Sequence, residues 1–71
     1  MHERVVESLI VSLNKRKDPG ERYWIYITLG EIGGEDAEAT VKEGLTDQDE
    51  FARLGAEEAL RLIEKRKTNN I

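Results

Sequence analysis

The sequence predicts an all-α fold made of two helix pairs, and three observations lead to this prediction. Apolar residues recur at the three- and four-residue spacing of helices along most of the 71-residue chain. The pattern returns after 31 residues without a gap, since Leu29 matches Leu60 and Ile32 matches Ile63. No stretch of convincing length alternates between apolar and polar residues. Segment 23–29 is rich in aromatic and β-branched residues, but its match to the last helix favours a helix there.

The repeating unit is a pair of helices, because the match extends upstream to Val6 and Ala37 in the preceding helices. A fixed period of this length is typical of a solenoid, in which successive pairs stack. We therefore expect a single domain over residues 1–71, with repeat one at about 3–33 and repeat two at about 34–67. Two repeats make a thin solenoid, so a partner or self-association would help to cover its outer faces.

The first pair has clear boundaries in the sequence. Helix one is predicted over about 3–16, where valines, leucines and one isoleucine share a face. Helix two is predicted over 19–32, with Asp18 as its cap and Pro19 at the first helical position, which suits proline. Gly33 and the glycine after it supply the left-handed conformation that ends a helix.

The second pair is predicted over about 35–45 and 48–67. Asp47 is expected to cap helix four, and Glu50, three residues later, is expected to complete a capping box. The apolar arc of helix four is rich in alanine and glycine, which allows a neighbouring helix to approach closely. Its larger residues, expected to fill the core, are Phe51, Leu60 and Ile63.

From Leu45 to Ile63 the chain reads L-x-D-x-D-x-x-x-R-x-x-A-x-x-A-L-x-x-I, a pattern that resembles the short HEAT-like repeats of the phycobilisome-lyase type. The first copy keeps the arginine and residues 29–33, but has Thr28 where alanine is usual. The resemblance implies a short right-handed αα-superhelix, or α-solenoid, whose second helices line a concave binding surface. It also implies a structural ladder of turn acids and arginines, formed here by Asp18, Arg22, Asp49 and Arg53.

The 31-residue register compares the two second helices position by position. Helix four is charged at Glu57 and Arg61, whereas helix two is aromatic or apolar on the same side. Trp24 matches Gly55 and is expected at the edge of the core, with its indole N–H bonded to a partner. Since the resembled family binds through these helices, the candidate partner-binding residues are Tyr23, Tyr26, Ile27, Leu54, Glu57 and Arg61.

Composition narrows the classes of function. A net charge of -4 with 37% charged residues argues against a nucleic-acid binder that relies on bulk charge. The basic runs at 15–17 and 65–67 are interpreted as favourable helix-end charges. The absence of cysteine excludes disulfides and thiolate metal sites, and no apolar run is long enough to span a membrane. We expect a cytoplasmic protein with no catalytic, metal or cofactor site.

These observations predict a small non-enzymatic module that binds a partner protein. Three explanations of the apolar face of helix two stay open: a different protein covers it, a second copy of the chain covers it as a homodimer, or it is the most buried helix. The alternative function, suggested by the resemblance, is an accessory subunit or degenerate relative of the bilin lyases, which act as pigment chaperones. A pigment chaperone needs a large apolar groove, and 71 residues offer little of one.

Overall fold

The computed structural model describes residues 2–15 and 18–68, the side chains of residues 2 and 3 excepted. Four α-helices follow one another: α1 (His2–Lys15), α2 (Pro19–Ile32), α3 (Glu35–Gly44) and α4 (Glu50–Thr68). The described residues contain no strand, so the predicted all-α class is confirmed. The helix boundaries predicted from the sequence differ from these by at most two residues.

The predicted start and end of α2 are confirmed. The Asp18 carboxylate accepts a hydrogen bond from the Gly20 N–H at 2.8 Å, and Pro19 occupies the first turn, where its missing N–H costs nothing. At the other end, Gly33 has a φ of 76° and donates its N–H to the Leu29 carbonyl. Gly34, with a φ of 97°, then turns the chain into α3.

The predicted cap of α4 is wrong by two residues. The helix begins at Glu50 rather than 48, and the carboxylate that caps it is that of Asp49, which accepts from the Ala52 N–H at 3.0 Å. Asp47 stabilises the turn before the helix by accepting from the Asp49 N–H at 2.9 Å. Its other carboxylate oxygen faces Arg22 of α2, which draws Asp47 away from the helix end.

Helices α2 and α4 run parallel and make the most extensive contact in the molecule. Two glycines allow their backbones to approach closely. A Cβ at Gly30 would lie 2.7 Å from the Ala59 Cα, and a Cβ at Gly55 would lie 2.8 Å from the Tyr23 Cα. Tyr23 precedes Gly30 in α2, and the residues that they contact in α4, Gly55 and Ala59, follow in the same order. The two helices therefore run in the same direction.

Helix α3 packs on α2 and α4, and α1 packs on α2 and α3. Gly44, near the end of α3, leaves room for the Tyr26 ring and the Ala56 methyl group. The core is small and rich in alanine, which suits the close approach of these helices. Its buried members are Val6, Leu13, Tyr26, Leu29, Ala37, Val41, Ala52, Ala56, Ala59 and Ile63.

Two aromatic residues that were expected in or beside the core lie outside it. Phe51 is 46% exposed, and Trp24 is 65% exposed rather than at the core edge. The reason is the close approach of α2 and α4 at Gly55, which leaves no space between the helices for a ring. The large rings are therefore left at the rim of the helix contact.

Candidate functional site

A cluster of exposed and half-buried aromatic and apolar side chains lies where the first halves of α2 and α4 run side by side. We call it the aromatic patch, and it consists of Tyr23, Trp24, Phe51 and Leu54. The Tyr23 and Phe51 rings are stacked, with centroids 4.6 Å apart and planes 6° from parallel. Trp24 meets Tyr23 edge to face, with centroids 5.4 Å apart. The three rings thus form one continuous surface across both helices.

The patch is open to solvent. Trp24, Phe51 and Leu54 are 65%, 46% and 50% exposed, and Leu54 follows Phe51 by three residues, which places both on neighbouring parts of one helix face. Tyr23 is half-buried beneath the two other rings. Exposed apolar clusters with a polar rim mark interaction sites in many proteins, and aromatic residues are enriched at such sites.

Carboxylates border the patch on α4. Glu50 lies four residues before Leu54 and Glu57 lies three residues after it, so both flank Leu54 on the same face. Both are exposed, and neither takes part in the salt bridges formed among residues 2–15 and 18–68. The nearby Arg61 is bonded to Glu58 at 3.1 Å.

The structure distributes the predicted partner-binding residues unevenly. Leu54, Glu57 and Arg61 are exposed, and Tyr23 and Ile27 are half-buried. Tyr26 is only 3% exposed, so it does not lie on a binding surface as predicted. Its ring packs against Gly44 inside the molecule. Sequence reasoning did not place Trp24 and Phe51 in the surface.

A signal for Trp24 was present in the register. The position that matches it in α4 is Gly55, where a glycine is needed for close helix contact. A tryptophan at the equivalent position of α2 is too large for such a contact. The register therefore indicates that no neighbouring helix of this chain packs closely on that side of α2. No comparable local signal distinguishes Phe51.

The predicted ladder takes a different form from the one expected. Arg22 bonds to Asp47 through Nε at 3.0 Å and Nη2 at 2.6 Å, and its Nη1 donates to the Leu13 carbonyl at 2.6 Å. Arg53 donates to the carbonyls of Asp47, at 2.7 Å, and Gln48, at 3.3 Å.

Asp18 and Asp49, which were expected to pair with these arginines, instead accept backbone N–H groups at the starts of α2 and α4. Helix capping uses these two carboxylates, because each lies directly before a first helical turn with unbonded N–H groups.

Asp47 is the centre of a polar network that links the two helix pairs. The Tyr26 hydroxyl donates to the same carboxylate oxygen as Arg22, at 3.1 Å. Burial alone would raise the pKa of Asp47, but the Asp49 N–H, Arg22 and Tyr26 together hold that pKa below its usual value. Burial and the bond to Asp47 raise the pKa of Tyr26. At neutral pH Asp47 is therefore ionised and the Tyr26 hydroxyl keeps the proton that it donates to Asp47.

An open cleft of about 850 Å³ lies over this network. Six of the polar side chains that line it are bonded to one another or to the backbone: Arg22, Tyr26, Thr40, Thr46, Asp47 and Asp49. No buried side-chain nitrogen or oxygen in the described residues lacks a partner. Its walls mix charged and amide side chains with Ile10 and Leu13. The cleft therefore has a structural polar network rather than the apolar lining that a pigment requires.

Two of the three basic residues at the end of α4, Arg66 and Lys67, bond to groups of the neighbouring helices. Arg66 donates to the carbonyls of Glu31 and Ile32 at the end of α2, at 3.2 Å for the latter, and so caps that helix. Lys67 bonds to Glu38 of α3 at 2.9 Å and Lys42 bonds to it at 3.2 Å, and these two lysines lower the pKa of Glu38. Residues 16 and 17 of the other basic run lie outside the described residues.

No protein-family model, curated protein or solved structure matches the chain. In the described part of the chain, none of the helices combines the length and the apolar character needed to cross a membrane. Across the same residues, histidine, cysteine and acidic side chains nowhere form a group of three suited to a metal ion.

Proposed function

We propose that this protein is a small non-enzymatic interaction module that binds a partner protein through the aromatic patch. The observation that carries the proposal is the contact of the Tyr23 ring with the exposed rings of Trp24 and Phe51, with exposed Leu54 one helical turn from Phe51. Four of the ten buried core residues are alanine, and the three largest exposed apolar side chains of the described residues, Trp24, Phe51 and Leu54, lie together on one face. Large aromatic side chains in an interface centre are typical binding hot spots.

The proposal includes a fold of the HEAT-like αα-solenoid type. Support comes from the parallel contact of α2 and α4, which is the arrangement that stacked helix pairs produce. Further support comes from Arg22 of the first pair bonding to Asp47 in the turn of the second. In such a stack the patch lies on the second helices of both pairs.

The test is a selection of peptides from a random library on the immobilised protein, followed by affinity measurements on variants. We expect selected peptides to lose at least tenfold in affinity on Trp24→Ser or Leu54→Ser, because hot-spot truncations cost about 2 kcal/mol. Both side chains are exposed, so circular dichroism should show the wild-type helix content.

The matched control is Val11→Ser, which removes a 51% exposed apolar side chain on α1, outside the patch. Selected peptides should bind this variant as they bind the wild type. Peptides that ignore both patch substitutions, or that weaken equally on Val11→Ser, would show that the patch is not the binding surface and would overturn the proposal.

A further inference from the structure

The charges around the aromatic patch indicate what kind of partner it fits. Glu50 and Glu57 flank Leu54 on the exposed face of α4 and have no ion-pair partner in the described residues. Arg53, within one helical turn of both, directs its guanidinium to the carbonyls of Asp47 and Gln48 instead. Arg61, farther along the helix, is bonded to Glu58. An arriving partner therefore meets an apolar centre with a carboxylate that forms no salt bridge on either side.

A second copy of the chain does not suit this surface. If α4 paired with itself in antiparallel direction about Leu54, Glu50 would lie opposite Glu58 of the second copy, and Phe51 opposite its Glu57. The facing glutamates would repel each other, and the Phe51 ring of each copy would contact a carboxylate. The whole chain also carries a net charge of -4, which opposes self-association.

A nucleic acid fits no better, because its phosphates would face the same two carboxylates. A cationic protein segment complements both the apolar centre of the surface and the carboxylates beside it. Apolar side chains would cover the rings and Leu54, and lysine or arginine residues beside them would pair with Glu50 and Glu57. Complementary charge at the rim also speeds association and selects against acidic competitors.

We infer that the aromatic patch binds a basic protein segment that carries apolar anchor residues between its lysines or arginines. The inference rests on the proposed function and specifies the partner class of the same site. The apolar anchors supply most of the binding, and Glu50 and Glu57 select the charge of the partner.

The chain contains its own reporter for the test, since Trp24 is the one tryptophan in the sequence and is 65% exposed. Two synthetic peptides without tryptophan share one set of leucines at helical spacing, and differ only in having lysines or glutamates beside them. Titration of the lysine peptide should shift Trp24 emission to the blue and saturate. The glutamate peptide should bind at least tenfold more weakly.

The variant Glu50→Gln/Glu57→Gln should weaken the lysine peptide about fivefold, as expected for two rim ion pairs of about 0.5 kcal/mol each. The charge-matched control is Glu35→Gln/Asp36→Asn, which removes two exposed carboxylates at the start of α3, the opposite end of the helices from the patch. This control should bind the lysine peptide within twofold of the wild type.

Equal binding of the two peptides, no binding of either, or equal weakening by both double variants would overturn the inference. A blue shift that appears on concentrating the protein alone, together with a dimer mass in sedimentation, would also overturn it by showing that a second copy covers the patch. The selection experiment separates the two proposals. Patch-dependent peptides without basic residues would leave the interaction module standing, whereas failure to find any patch-dependent peptide would remove both.

Discussion

The Asp47 carboxylate accepts four hydrogen bonds from other described residues. It bonds to Arg22 and Tyr26 of α2 and to the Asp49 N–H before α4, and its side chain is only 7% exposed. We expect Asp47→Asn to lower the free energy of unfolding by about 3 kcal/mol, because it removes the charge that faces a partly buried guanidinium. Urea denaturation at pH 7 measures this loss.

The control for that substitution is Glu7→Gln, which neutralises an exposed carboxylate on α1. Its free energy of unfolding should stay within about 0.5 kcal/mol of the wild type. Equal stability of Asp47→Asn and Glu7→Gln would show that the network contributes nothing to folding.

The same network has a predictable pH dependence. The pKa of Asp47 is lower in the folded chain than in the unfolded one, so the folded chain binds fewer protons. The stabilisation is complete above the unfolded pKa of about 4 and is lost as the pH falls through the folded pKa. Between pH 5 and pH 3, wild-type stability should therefore fall more steeply than that of Asp47→Asn, with Glu38 causing the slope that remains. Parallel curves would contradict this assignment.

The role of Asp47 could not be predicted from local rules. Asp47 and Asp49 are both good caps, and each stands close enough to the start of α4 to serve. The choice depends on Arg22, which is 25 residues away in the chain and reaches Asp47 only after the helices have packed. Capping patterns describe one helix at a time, so they could not distinguish the two carboxylates.

At the scale of whole helices, the contact between α2 and α4 depends on two glycines. We expect Gly30→Ala and Gly55→Ala each to destabilise the fold by about 2 kcal/mol. Alanine gains about 1 kcal/mol in helix propensity, but the added Cβ would lie 2.7–2.8 Å from backbone atoms of the facing helix and force the helices apart. Thermal or urea unfolding measures the loss.

Gly20→Ala is the control for these substitutions, because it adds the same methyl group to α2 at a position that faces no other helix. The nearest atom is the Asp18 carboxylate oxygen that caps α2, at 3.3 Å, which needs to shift by only a few tenths of an ångström. The variant should be as stable as the wild type or slightly more so. If Gly55→Ala also proved as stable as Gly20→Ala, the close approach of the two helices would be refuted.

The two ends of α2 were predictable from the sequence, whereas the direction of the larger side chains was only partly so. The cap at Asp18 and the glycine end at Gly33 depend on neighbours within a few residues, which the sequence displays. The exposure of Phe51 depends on how closely α4 approaches α2, and the apolar arc of a helix does not state which part of it a neighbour will cover. The aromatic patch was thus only half predicted, through Tyr23 and Leu54.

In the molecule as a whole, α1 is held less firmly than the other helices. The contact between α2 and α4 is the most extensive, α3 closes on both, and α1 makes fewer contacts with α2 and α3. Val5 and Val11 of α1 are 49% and 51% exposed, so part of its apolar surface contributes little to the core. Stability is expected to vary among helices in such a small domain.

Amide hydrogen exchange under native conditions should therefore separate α1 from the α2–α4 contact. The amides of Leu9 and Leu13 should open with a free energy at least about 1.4 kcal/mol below that of Ala59, which corresponds to a tenfold difference in protection. Ala59 is fully buried against Gly30, so its amide should exchange only when the whole molecule unfolds. A single opening free energy for all three amides would mean that α1 unfolds together with the rest as one cooperative unit, despite its smaller contact.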